Sequence, residues 1–163
     1  MALLDEEVVE YWLNNKGFFC MRGVKTGLGE IDFLAIRPSE DEFECWQVEV
    51  TASFRPIGYI GGGSSAKRRD ATEVEQGVED YIHKKFTSDK KIEKRNEILP
   101  NLAWKYVLVC AEVRHEIELE LFEKKGIVVH RYKDILEELE TSSSQVNSTA
   151  GNILEILRYI KKD

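Results

Sequence analysis

Gly29-Glu30-Ile31-Asp32-Phe33-Leu34-Ala35 and Trp46-Gln47-Val48-Glu49-Val50-Thr51 decide the reading of this chain. Each is an apolar, β-forming run interrupted by one carboxylate, Asp32 in the first and Glu49 in the second. A carboxylate inside such a run is costly unless it is paired or binds a metal. Two of them on successive strands can hold a divalent cation, and a hard cation with open positions activates water.

Outward from these runs, apolar residues at helical spacing (Val8, Val9, Trp12, Leu13) predict a helix over residues 5–16, stopped by Gly17. Strands are expected near 18–24, 30–37 and 43–53, joined by turns at Lys25-Thr26-Gly27 and Ser39-Glu40-Asp41-Glu42. Short turns between them imply an antiparallel meander. Residues 54–65, with Gly61-Gly62-Gly63, read as a mobile loop. A helix over 66–86 follows, with Ala71, Val74, Val78 and Ile82 on one stripe. Residues 87–100 are strongly polar, a short helix between loops. Beyond them come a strand at 104–111, a helix at 113–125, a strand at 127–130 and a helix at 133–140. A final amphipathic helix over 151–161 turns Ile153, Ile156, Leu157 and Ile160 inward. This order implies an α/β sandwich with a mixed central sheet. One domain over 1–140, a Ser/Thr-rich linker at 141–149 and a C-terminal helix at 150–163 make up the organisation.

With 163 residues the chain buries roughly two-thirds of its unfolded surface. No apolar run approaches the ~18 residues of a membrane span, and the first ten residues lack the pattern of a secretory signal. Cys20, Cys45 and Cys110 share no CxxC spacing, so reduced thiols and a cytoplasmic location are expected. The net charge of −7 argues mildly against nucleic acid. Positive charge is nevertheless concentrated at Lys67-Arg68-Arg69, Lys84-Lys85 and from Lys90 to Arg95.

The helix ending at Gly17-Phe18, Arg22 four residues past Phe18, Gly29-Glu30-Ile31-Asp32 and Val48-Glu49-Val50-Thr51 occur in a fixed order. In that order the chain resembles the PD-(D/E)XK nuclease superfamily, and within it the archaeal Holliday-junction resolvases, over residues 5–86. The resemblance implies a restriction-endonuclease-like fold and hydrolysis of a nucleic-acid phosphodiester, DNA before RNA, with Mg²⁺ or Mn²⁺. Asp32 and Glu49 would then be metal ligands, with the carbonyl of Val50 a third contact. Glu6 is the choice for the helix carboxylate; Asp5 and Glu10 stay open. Glu30 shares the strand face of Asp32, as an added ligand or a solvated group. Arg22 would clamp a phosphate, or form a surface ion pair. A homodimer is implied by analogy with small nucleases that cut both strands.

Thr51 departs from the pattern, which has lysine there to orient water and stabilise transition-state charge. A threonine hydroxyl supplies no such charge, so either activity is lost or the cation comes from elsewhere. Lys67, four residues before Ala71 on the expected inward stripe, is the candidate chosen, beside a basic surface run with Arg68 and Arg69 that would contact phosphates. Gln76 and Tyr81, five apart, lie roughly 140° apart on a helix and make no matched pair. The glycine loop lacks the ending of a phosphate loop, and His83, His115 and His130 are scattered. The rival expectation is a catalytically silent relative that keeps the fold and binds nucleic acid or a protein. A third is a scaffold that binds metal only for stability.

Overall fold

The computed structural model describes residues 4–62, 67–142 and 149–161. Helix α1 (Leu4–Asn15) leads into strands β1 (Phe19–Thr26), β2 (Gly29–Ser39) and β3 (Glu42–Thr51). Gly17, at φ +84°, makes the left-handed turn that a helix stop of this kind needs. Strands β1, β2 and β3 form the expected antiparallel meander. The chain then crosses through a 3₁₀ turn (Ile60–Gly62) to α2 (Ala71–Ile82), a five-residue π turn (His83–Thr87) and α3 (Asp89–Ile98). Strand β4 (Trp104–Cys110) returns parallel to β3, α4 (Ile117–Lys124) crosses again, and β5 (Val128–Arg131) adds parallel to β4. The result is one mixed five-stranded sheet in the order β1-β2-β3-β4-β5. Helices α5 (Tyr132–Thr141) and α6 (Thr149–Ile160) complete the chain.

Alternation along the strands sends side chains to two covered faces. Phe33, Ala35, Trp46, Val48, Val107 and Val109 face α1, α5 and α6, where Trp12, Leu13, Ile135 and Leu154 are buried against them. Leu108 and Cys110 face the other side, closed by Val78 of α2, Phe86 of the π turn, and Leu119 and Phe122 of α4. Gln47 and Glu49 point to that second side as well, and both are fully buried.

Three expectations change. The second helix begins at Ala71, not at 66, because Asp70 caps it: its carboxylate accepts from the N–H of Glu73, and Glu73 accepts in return from the N–H of Asp70. The loop before it is not loose where it is described. Tyr59 is buried, and the N–H groups of Ile60 and Gly61 are bound by Glu118 at 3.1 and 3.0 Å. Helix α6 turns a different stripe inward: Ala150, Gly151 and Leu154 are buried, whereas Ile156 and Ile160 are exposed. Small residues at 150 and 151 permit a close approach to α1 and rotate the larger ones outward. The short helix expected in the polar segment 87–100 is α3, whose buried residues include the cations Lys91 and Arg95. Most of the Ser-rich linker lies outside the described residues.

The three cysteines are free thiols. No helix among the described residues is long and apolar enough to cross a membrane.

Candidate active site

The paired register of β2 and β3 runs from Ser39↔Glu42 to Phe33↔Val48 and places Asp32 and Glu49 side by side just beyond it. There the main-chain ladder gives way to a side chain: Asp32 Oδ2 accepts the N–H of Val50 at 2.8 Å. On the other flank, the pairs Arg22↔Phe33 and Val24↔Ile31 put Gly23 opposite Asp32. Gly23 adopts φ +66°, a conformation that favours glycine, and leaves the strand surface beside Asp32 without a side chain. Gly23 was not singled out in the sequence, although a lone glycine inside a strand pattern is a signal for such a position.

Glu49 is 0% exposed. Lys85 Nζ approaches its Oε2 at 3.0 Å, and Lys91 Nζ its Oε1 at 3.6 Å. Gln47 Nε2 donates to Glu49 Oε1 at 3.1 Å and to the carbonyl of Lys85 at 2.7 Å. Behind Gln47, the buried guanidinium of Arg95 donates to Gln47 Oε1, to the carbonyl of Phe86 at 2.7 Å and to the Tyr106 hydroxyl at 3.0 Å. A carboxylate, an amide and a guanidinium thus form one hydrogen-bonded chain beneath the sheet.

Charge balance at this fork is tight. Burial, and then the neighbouring Asp32 carboxylate, push Glu49 up to about 7 despite both lysines. Burial and Asp32 also raise Glu6, which brings the α1 carboxylate into the same field. The lysines diverge. Lys91 is the more enclosed, with 6% of its side chain exposed, and burial lowers its pKa. Lys85 is 30% exposed; burial opposes its charge, but Glu49 and Asp32 outweigh that and raise it. Lys85 is therefore the firmly charged ammonium on the open side of Glu49.

The other expected groups take different places. Glu30 pairs with Lys25, and its backbone carbonyl accepts from Lys91 Nζ. Arg22 forms an ion pair with Glu10 at 2.9 Å, which also commits one of the alternative α1 carboxylates. Thr51 ends β3 opposite Cys110. Lys67 is not on a helix: it is exposed in the segment before Asp70, beside a hollow shared with Thr72, Gln76 and Asp80. Tyr81 is packed edge-on against Phe122, while Gln76 bonds Asp80.

Lys85 was missed, yet its signal was present. It lies seven residues beyond Val78, so it continues the apolar stripe of α2 with a cation facing the sheet. The π turn at His83–Thr87 then fits one additional residue into the helix where Lys85 and Phe86 both reach inward.

Among the described residues, no group of three or more His, Cys, Asp or Glu side chains is placed to hold a metal ion together. No protein-family model, curated protein or solved structure matches the chain.

Proposed function

We propose that the chain is a metal-dependent phosphodiesterase acting on nucleic acid, DNA before RNA, on a restriction-endonuclease-like fold. The observation that carries this reading is the contact of Lys85 with Glu49, 3.0 Å apart, beside Asp32 at the fork of β2 and β3. It supplies from the π turn the cation that Thr51 does not.

The donor set fits a hard cation. Asp32 and Glu49 would supply oxygen ligands at one point of the sheet, with the carbonyl of Val50 as the third contact that the resemblance implies and Glu6 in the same field. A divalent charge would offset the repulsion between the two carboxylates. A bound Mg²⁺ or Mn²⁺ would polarise the phosphate and lower the pKa of a water. The protein's own groups do the rest. Gln47 and Arg95 fix the plane of the Glu49 carboxylate. Lys85, charged and half-open, orients the attacking water and balances charge that develops on the phosphate oxygens. Lys91, enclosed between Glu49 and the Glu30 carbonyl, offsets the buried negative charge.

The silent-relative reading draws on Thr51, on the net charge of −7 and on the amphipathic C-terminal helix; Lys85 beside Glu49 answers the first of these. Manganese calorimetry of the wild type and Asp32→Asn, followed by cleavage assays on the same samples, tests the proposal. Binding lost in Asp32→Asn, with cleavage by the wild type only, is the expected result. No manganese binding by the wild type, with or without a short duplex, would sink it.

A further inference from the structure

A concavity lies at the same end of the sheet as Asp32 and Glu49. It has a volume of about 640 Å³ and opens where the loop after β3 meets the loop after β4, above the first turn of α2. The volume suits a small organic ligand.

Its lining divides by chemistry. Val74, Ile117 and Leu121 make an apolar floor. Tyr59 and His115 stack there with ring centroids 4.1 Å apart at an interplanar angle of 11°. Arg68, Arg69 and Arg114 supply the cations. None of the three forms an ion pair with a carboxylate among the described residues. Arg69 donates to the carbonyls of Gly61 and Gly62 at 3.5 and 3.3 Å and lies over the Tyr59 ring, and Arg114 donates to the carbonyl of Ile57. The nearby acids are otherwise engaged. Asp70 caps α2, Glu75 faces Lys125 at 3.3 Å, and buried Glu118 accepts the two loop N–H groups. The lining thus sets three arginines against two carboxylates, over an apolar, aromatic floor on an otherwise acidic protein.

We infer that this cleft binds a nucleotide unit, with its base on the Val74–Ile117–Leu121 floor beside His115 and its phosphate held by Arg68 and Arg114. Planar guanidinium groups match phosphate oxygens bidentately, and aromatic faces take a base without demanding its identity. Apolar floor and arginines together select a nucleotide over inorganic phosphate or a nucleoside. The choice of nucleic-acid chemistry rests on the proposed function. The unit is either a free nucleotide or one residue of the strand whose phosphodiester reaches Asp32 and Glu49.

The test is done in EDTA, so that it does not depend on the carboxylate site. The full chain is titrated with dAMP, with deoxyadenosine and with a fluorescein-labelled dodecathymidylate, in wild type, Arg68→Ala, Arg68→Ala/Arg114→Ala and Ile117→Asp. Circular dichroism and urea midpoints confirm folding, and exposed Arg68 guards against a folding artefact. Binding of dAMP weakened at least tenfold in the double variant and in Ile117→Asp, with deoxyadenosine weaker than dAMP, supports a site for a free nucleotide. Binding of the oligonucleotide alone, with the same losses, supports a site for the strand. Equal binding by wild type and variants, or no binding of either nucleotide probe, overturns the inference. Manganese binding at Asp32 is read separately, so a failure of the cleft and a failure of the catalytic site give different results.

Discussion

Lys85 Nζ lies 3.0 Å from Glu49 Oε2 across thirty-six positions of sequence, from a π turn to a buried strand. The contact joins the only fully buried carboxylate of the fork to a cation that still reaches solvent. If Lys85 balances transition-state charge, Lys85→Ala lowers kcat about 10²–10³-fold, the scale of removing one preorganised donor. Lys67→Ala, at an exposed position before α2, leaves kcat within about twofold. Single-turnover cleavage of a labelled duplex in manganese measures both. A Lys67→Ala loss equal to that of Lys85→Ala would return the catalytic cation to the glycine loop.

Protonation of Glu49 gives a signed prediction for the metal-free protein. Its folded pKa, about 7, lies above the ordinary carboxylate value of 4.5 because burial and Asp32 disfavour its charge. Between those values the folded state binds the proton more tightly than the unfolded state does. The stability contributed by the protonated form is thus complete below the ordinary carboxylate range and is lost as pH rises through about 7, by at most about 3 kcal/mol. Urea midpoints in EDTA should fall from pH 5 to pH 8 more steeply for wild type than for Glu49→Gln. A wild type that gains on the variant as pH rises would mean that Lys85 and Lys91 keep Glu49 ionised.

The amide of Gln47 ties Glu49 to Arg95, so it is a positioning residue. Gln47→Leu keeps the volume but removes the donor at 3.1 Å and the acceptor of the buried guanidinium. Supports of this kind behind a ligand typically alter metal affinity about 10–100-fold. Calorimetry should show manganese affinity reduced by that range, with a stability loss of about 1–3 kcal/mol because the buried arginine loses one of its three acceptors. Gln47→Glu, which still accepts from Arg95 but repels Glu49, separates the two effects: folding is retained and metal binding moves to higher pH. Equal affinity in all three proteins would confine Gln47 to a packing role.

Much of the fold was legible because its elements are written in strong alternation. The two carboxylates stood out in apolar strands, and the three-stranded meander follows from the short polar turns. What escaped was local chemistry that hydrophobic periodicity does not carry. A short helix is expected in the polar segment 87–100, but the inward face of α3 is Lys91 and Arg95, four apart, and a hydrophobic pattern cannot find a face made of cations. The start of α2 was misplaced because Asp70 and Glu73 close a capping box three residues apart, a signal outweighed by the apolar stripe read back toward Ala66. A helix read from Ala66 carries Lys67 on its inward stripe, whereas the stripe of α2 as it forms is continued by Lys85. The stripe of α6 was misjudged for a related reason: Ala150 and Gly151 matter through their smallness, which a count of large apolar residues ignores.

Gly61 and Gly77 supply the last prediction, since neither has room for a side chain. A Cβ on Gly61 would stand 2.4 Å from the backbone of Gly77, and one on Gly77 would stand 2.8 Å from the carbonyl oxygen of Gly61 and 2.7 Å from Arg69. The contact clamps the 3₁₀ turn to α2, beneath the Arg69 guanidinium that caps it. Alanine at 77 would gain about 1 kcal/mol in helix propensity, but overpacking against rigid backbone costs about 1–3 kcal/mol. Each single substitution should therefore destabilise. The double variant should cost less than the sum, because the first substitution already opens the contact that the second would strain. Both should weaken dAMP or oligonucleotide binding in the cleft by moving Arg69 and Tyr59, while leaving manganese binding at Asp32 unchanged. Gly126, at φ +85° with open space around its Cβ position, is the control: alanine there strains the backbone by about 1–2 kcal/mol but leaves the cleft intact. Urea midpoints and binding titrations on the four variants decide it. Stability unchanged in Gly61→Ala would mean that the turn is free to lift from α2.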